Sequence, residues 1–233
     1  MTGIPRREIV LLLSSQSLKS RVVMEQLSND DWFTGHHDLK AVTDQPNGTV
    51  PKLLEQEDIS QIAASSPRSP SSEVTEVSSG NPDYIISCGW GHYVPQETIR
   101  VASIESLNCH GSYLPDYRGP NAYRALWANG CEFGGASVHI LTDKFDDGRI
   151  IRRESFRIGP FDTPREIAFK ASELTVQLLR ESIFLIESGY SGVSNNGGSY
   201  YGKISWPRTI LHGTVNNLAR LANVNRRWRI SPR

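Results

Sequence analysis

An unbroken apolar run, Ile9-Val10-Leu11-Leu12-Leu13, has the pattern of a strand covered on both faces and predicts one over Glu8 to Ser14. Apolar positions then recur at helical spacing from Ser17 to Leu27, so the chain opens as a strand followed by a helix. A second strand is expected over Leu39 to Thr43 and a weak helix over Lys52 to Ile62. From Ala63 to Gly80 Ser accumulates and Pro67 and Pro70 interrupt, so residues 63–80 read as a flexible, exposed insertion. Asn81-Pro82-Asp83 introduces the strand Tyr84 to Cys88, and Gly89-Trp90-Gly91 turns sharply out of its carboxyl end.

The run from Ser103 to Leu107 leads into Asn108-Cys109-His110 at the end of another strand, and the turn-rich stretch Gly111 to Pro120 follows. Pro120 to Asn129 predicts a short helix closed by Gly130. Gly135 to Leu141 alternates as a strand with Val138 and Ile140 on one face, and Ile150 to Ile158 supplies a further strand. The strongest helix is Pro164 to Ser188. Thr163 caps it, Pro164 suits its first position, Glu166 completes a capping box and Gly189 ends it. Its stripe of Ile167, Ala171, Leu174, Leu178 and Leu185 is spaced to cover a sheet face. Strands alternating with helices imply an α/β fold, with an open, mainly parallel sheet and helices on both faces.

The expected organisation is one main domain over residues 1–190 and an appendage over residues 191–233. The appendage comprises a Gly, Ser and Asn-rich linker from Ser191 to Ser199 and a basic tail. From Tyr201 onward that tail has seven Lys or Arg and no acid. A helix is expected from Thr209 to Val224, docked through Leu211, Val215, Leu218 and Ala222 and flanked by Trp206 and Trp228.

With 233 residues, 38% of them hydrophobic, the chain can bury one sizeable core. Lys plus Arg and Asp plus Glu both total 25, so no net field draws the protein to nucleic acid or a membrane. Cys88, Cys109 and Cys131 have no Cys-x-x-Cys spacing, which argues against a disulfide framework and against a zinc site; no metal is expected. Without a long apolar segment near the start, the expected location is cytoplasmic.

The candidate chemistry begins with the strand end. Residues two apart on a strand share a face, so Asn108 and His110 project together while Cys109 turns into the packing. A strand that ends in a loop delivers such side chains to a ligand crevice. With the downstream Asp146-Asp147-Gly148, the pattern comprises Asn108-x-His110, Leu114-Pro115-x-Tyr117-Arg118-Gly119-Pro120, Gly135-x-x-Val138-His139 and Asp146-x-Gly148-x-Ile150. In order and spacing these segments resemble the folate-dependent formyltransferases, which act on glycinamide ribonucleotide, methionyl-tRNA or sugar amines.

The resemblance implies a Rossmann-like formyltransferase fold, with Asn108, His110 and Asp146 as catalytic residues and 10-formyltetrahydrofolate as cosubstrate. An amine attacking a formyl carbon generates an oxyanion, for which the Asn108 amide and a protonated His110 are the expected donors. One such donor is typically worth about 3 kcal/mol of barrier. Asp146 is expected to orient the imidazole and favour its charged form. The pterin would enter between Trp90, Gly91, His92, Tyr93 and Val94 on one loop and Thr142, Asp143, Lys144 and Phe145 on the other. Tyr117, Arg118, Asn121, Tyr123 and Arg124 are the residues expected to meet the acceptor, arginine suiting phosphate. His139 reads as structural. Gly111 stands where many relatives carry Pro, and Gly91 where many carry a bulky residue.

For the acceptor, Ser14-Ser15-Gln16-Ser17-Leu18 replaces the Gly-Asn-Gly-Ser type loop by which glycinamide ribonucleotide formyltransferases bind phosphate. Residues 191–233 are too few for the carboxyl-terminal barrel of methionyl-tRNA formyltransferases, which leaves the basic tail as the one feature suited to tRNA. A small-molecule amine, foremost a nucleotide-linked amino sugar, is the leading expectation. Amino-acid, siderophore or peptide amines, a 10-formyltetrahydrofolate hydrolase and a non-catalytic folate or nucleotide binder are the alternatives. Oligomeric state stays open, a homo-oligomer included.

Overall fold

The computed structural model describes residues 4–202, 204–222, 230 and 232. Seven strands form one sheet in the order β3-β2-β1-β4-β5-β6-β7. They are β1 (Glu8–Leu13), β2 (Asp38–Thr43), β3 (Ser60–Ala63), β4 (Tyr84–Cys88), β5 (Glu105–His110), β6 (Phe133–Ile140) and β7 (Ile150–Arg157). The first five are parallel, and β6 pairs antiparallel with both β5 and β7. The expected mainly parallel α/β sheet is therefore what the chain builds.

The apolar run of β1 is buried on both faces and sorts by parity. Ile9, Leu11 and Leu13 join the core beneath α1 (Leu18–Leu27) and α7 (Pro164–Glu187). Val10 and Leu12 pack on the other face with Val42, Ile85, Trp90 and Val94. Ser17 caps α1 by accepting from the Ser20 amide, and the Thr163 and Glu166 capping box starts α7 as expected. α6 (Ala122–Ala128) is shorter than its predicted span. The remaining short helices, α2 (Asp31–Thr34) and α5 (Gln96–Ile99), were not anticipated.

Two expectations between β2 and β4 are corrected. The weak helix over Lys52 to Ile62 resolves into α3 (Thr49–Gln56) and then β3, which pairs with β2 from Ser60 to Ala63. Residues 63–80, expected as an exposed insertion, carry α4 (Ser71–Ser78), which seats fully buried Val74 in the second core cluster. Its Glu73 accepts from the amide and hydroxyl of Ser65 and ties the loop down. Val74, with Ala64 and Val77 beside it in the same cluster, supplies the anchoring that the composition of the stretch conceals.

The tail also docks differently. α8 (Trp206–Leu221) buries Thr209, Gly213, Asn216 and Asn217, leaving Leu211, Val215 and Leu218 exposed. The polar face wins because Asn216 donates to the Ala128 carbonyl and Asn217 to that of Trp127, tying α8 to the end of α6. A side chain at Gly213 would overlap the Trp127 ring. The expected helix end at Val224, Trp228 and the basic residues Lys203, Arg226, Arg227, Arg229 and Arg233 lie outside the described residues.

Candidate active site

Strand order reverses between β1 and β4, and a cleft of about 290 Å³ opens at the carboxyl ends of the parallel strands beside that point. The Gly91 amide donates to Ser14 Oγ at 2.9 Å and ties the loops after β4 and β1 together. Residues 89–94 form one wall and Leu141, Thr142, Lys144, Phe145 and Asp146 the other, with Asn108, His110 and His139 between them.

β5 aims Asn108 and His110 into the cleft and sends Cys109 into the core, where its sulfur lies 3.3 Å from that of Cys88. The loop after β6 brings Asp146 to the same point. Asp146 Oδ1 lies 3.3 Å from His110 Nδ1 and accepts from Asn108 Nδ2 at 3.2 Å, while Oδ2 accepts from the Gly119 amide at 2.8 Å. Gly119 has φ +97, and an added Cβ would stand 2.5 Å from the Tyr201 carbonyl, so this amide reaches the carboxylate only because the residue is glycine. Asp146 itself is left-handed, at φ 49, an uncommon conformation for a side chain of its kind.

Burial alone would raise the Asp146 carboxyl, but His110 and the Gly119 amide outweigh it and hold the group well below the usual carboxylate range. Burial dominates at His110 and pushes it down, against the pull of Asp146 and the Tyr117 carbonyl. The expectation that Asp146 favours a charged His110 is thus met only in part, since desolvation is the larger effect. The ring sits between two oxygens, with Nε2 3.0 Å from the Tyr117 carbonyl and Nδ1 facing Asp146. Either neutral tautomer leaves one lone pair against an oxygen, so an arriving proton would complete a second hydrogen bond.

His139, expected as structural, lies in the cluster. Its Nδ1 donates to the Ile140 carbonyl at 2.9 Å, and its Nε2 accepts from Asn108 Nδ2 at 3.0 Å. Both amide hydrogens of Asn108 are then engaged by His139 and Asp146, and the carboxamide oxygen is the end left for a ligand. This differs from the expected oxyanion donor, because the Asp146 carboxylate sets which way the amide points. Lys19 was also missed. It is buried, lines the cleft and donates to the Cys109 carbonyl.

Of the residues expected around a pterin, Trp90, Gly91, His92, Tyr93, Val94, Thr142, Lys144 and Phe145 line the cleft. Asp143 does not; its carbonyl accepts from the Tyr93 hydroxyl at 3.2 Å. Of the five expected toward the acceptor, only Tyr123 lines the cleft. The carboxyl-terminal segment engages the others. Tyr117 stacks on Tyr201, Arg118 bonds Asn195, Asn121 donates to the Gly202 carbonyl, and Arg124 donates to the Ile204 carbonyl and lies over Trp206.

Fold and cluster define a Rossmann-like α/β protein with an amide, two imidazoles and a carboxylate gathered at its switch point. Residues 7–183 match the family model described as "Formyl transferase", and the chain belongs to that family. It is similar to the methionyl-tRNA formyltransferase of Lactobacillus gasseri, 31% identical over 159 residues, covering 63% of this chain and 50% of that one. It is also similar to the GDP-perosamine N-formyltransferase of Brucella melitensis, 31% identical over 124 residues, covering 53% and 48%. The chain thus spans about half the length of these relatives. Among solved structures, glycinamide ribonucleotide transformylase 1 from Symbiobacterium toebii shares the fold, with TM-score 0.66 and 17% identity over 79% of this chain and 89% of that one. Among the described residues no helix is long and apolar enough to cross a membrane.

Proposed function

We propose that this protein is an N-formyltransferase that moves a formyl group from 10-formyltetrahydrofolate to the primary amine of a small molecule, a nucleotide-linked amino sugar being the acceptor class. The observation that carries the reading is the meeting of Asn108, His110 and Asp146 at one end of one cleft. The cleft suits a pterin. Trp90, Val94 and Leu141 give apolar walls, the Tyr93 and Phe145 rings meet edge to face at 5.6 Å beside them, and the loops carrying residues 89–94 and 142–146 offer backbone edges. The folate supplies an activated formyl carbon.

The rest falls to the chain. The Asn108 carboxamide oxygen accepts an N–H of the acceptor amine and aims its lone pair. His110, whose charged form burial disfavours, takes the proton at Nδ1 as the amine nitrogen bonds the formyl carbon, with Asp146 balancing the charge, and gives it to the folate nitrogen as that nitrogen's bond to the formyl carbon breaks. His139 keeps the Asn108 amide from rotating. A relative named for GDP-perosamine supports a sugar-linked amine, and Tyr123 is the side chain that would meet it.

A mass-spectrometric screen of nucleotide amino sugars, amino acids and aminoacyl-tRNA with 10-formyltetrahydrofolate tests this. Formylation of an amino sugar is expected. Formylated aminoacyl-tRNA would replace the acceptor class, and formate released without any acceptor would make the protein a hydrolase.

A further inference from the structure

The segment after α7 was expected to be a linker, yet it is pinned at both ends. Val193 exchanges two backbone hydrogen bonds of 2.9 Å with Ile150, and Arg118 donates to the Ser199 carbonyl at 2.9 Å and accepts from the Tyr201 amide at 2.8 Å. Between these points lies Asn195, 4% exposed. Its Nδ2 donates to the carbonyls of Asp146 and Gly148, both at 2.9 Å, on either side of Asp147. Arg118 donates to its Oδ1 at 3.1 Å and to its backbone carbonyl, and lies 3.2 Å from Asp147 Oδ1. Residue 195 stands beyond the stretch that matches the family model.

We infer that Asn195 is a positioning residue, which acts through the backbone of the Asp146 turn to hold that carboxylate against His110. Asp146 is left-handed, a conformation that persists only where surrounding contacts determine it. Asn195 provides such contacts. A carboxamide is the group that fits, having two donors for two carbonyls and one acceptor for arginine. Aspartate has the same shape and no donor, so it would set a carboxylate against two carbonyl oxygens. Arg118, expected at the acceptor, serves this strap instead. The catalytic turn is thereby coupled to the carboxyl-terminal segment.

The inference rests on the formyl-transfer reading, and Asn195→Asp and Asn195→Ala in the full chain test it. Both are expected to lower kcat by about 10- to 100-fold, with KM for 10-formyltetrahydrofolate changed less than about twofold, since misplacement by roughly 1 Å can cost that much. The His110 titration, followed by ring nitrogen NMR, should move to lower pH as Asp146 withdraws. The other titratable groups acting on that ring, Lys19 and His139, stay in place. A space-filling role predicts instead that Asn195→Asp matches the wild type. Wild-type kcat and an unmoved His110 titration in Asn195→Asp would overturn the inference. Should neither variant fold, Arg118→Gln carries the same two readouts and the same two outcomes. If the wild type formylates no amine, the functional reading fails, and the titration alone decides the positioning.

Discussion

The Asn108 carboxamide and the His139 imidazole are joined across the antiparallel pairing of β5 and β6, Nδ2 to Nε2 at 3.0 Å, at directly opposed register positions. His139 is thereby one of two residues, with Asp146, that orient the amide. Replacing it by Ala should free the amide to rotate and lower kcat about 10- to 100-fold, with little change in folate binding. Steady-state kinetics and a folate titration read the two effects separately, and equal losses in both would contradict the assignment.

Gly111 and Tyr123 form a second pair. A Cβ at position 111 would overlap the Tyr123 ring and hydroxyl, so the tyrosine occupies the space that a larger residue there would need. Gly111→Ala should push Tyr123 into the cleft and raise KM for the acceptor several-fold. The Gly111→Ala/Tyr123→Leu double variant should recover part of that loss, giving a coupling of roughly 0.5–3 kcal/mol in a double-mutant cycle. Strict additivity would show that the two side chains do not compete.

His37 makes stability depend on pH. It is 3% exposed, accepts from the Arg7 amide at 3.1 Å through Nδ1, and has Nε2 buried without a partner. Burial first, then the charges of His36 and Arg7, lower it to about 4. A depressed histidine folds uncharged, and the unfolded chain binds the proton more readily. Its contribution is therefore present above about pH 6.5 and lost as pH falls toward about 4, on the order of 3 kcal/mol. Urea midpoints for wild type and His37→Asn should converge in slope above pH 6.5 and diverge below it. Parallel curves down to pH 4 would contradict the burial argument.

Val74 tests whether residues 63–80 belong to the fold. It is fully buried beside Val10, Leu12 and Ile85 on the α4 face of the sheet. Val74→Ala should cost about 2 kcal/mol from lost burial and the cavity left behind. A change within about 0.5 kcal/mol, by denaturant unfolding, would match an exposed loop instead.

The parts of the fold legible in the sequence were those whose pattern is local. The β1 run, the α7 capping box and the alternation of β6 need only neighbouring residues to be recognised. Strand geometry put Asn108 and His110 on one face, while their role and the choice of Asp146 came from the resemblance to the formyltransferases. His139 was not legible, because its partnership with Asn108 depends on the register of two strands that share no local signal. Asn195 was hidden for a related reason. A Gly and Ser-rich stretch reads as a linker, and only the folded chain brings its asparagine to the Asp146 turn. In α8 the apolar stripe pointed to the wrong face, because hydrogen bonds to the end of α6 decided the docking.

The central claim is that Asn108, His110 and Asp146 perform formyl transfer as one unit. The most direct measurement is turnover with 10-formyltetrahydrofolate and an accepted amine by wild type, His110→Ala and Asp146→Asn, with folate affinity measured on the same samples. The account predicts a fall in kcat of about 100-fold or more in each variant, with folate affinity within about threefold of wild type. Near wild-type turnover in either variant would contradict it.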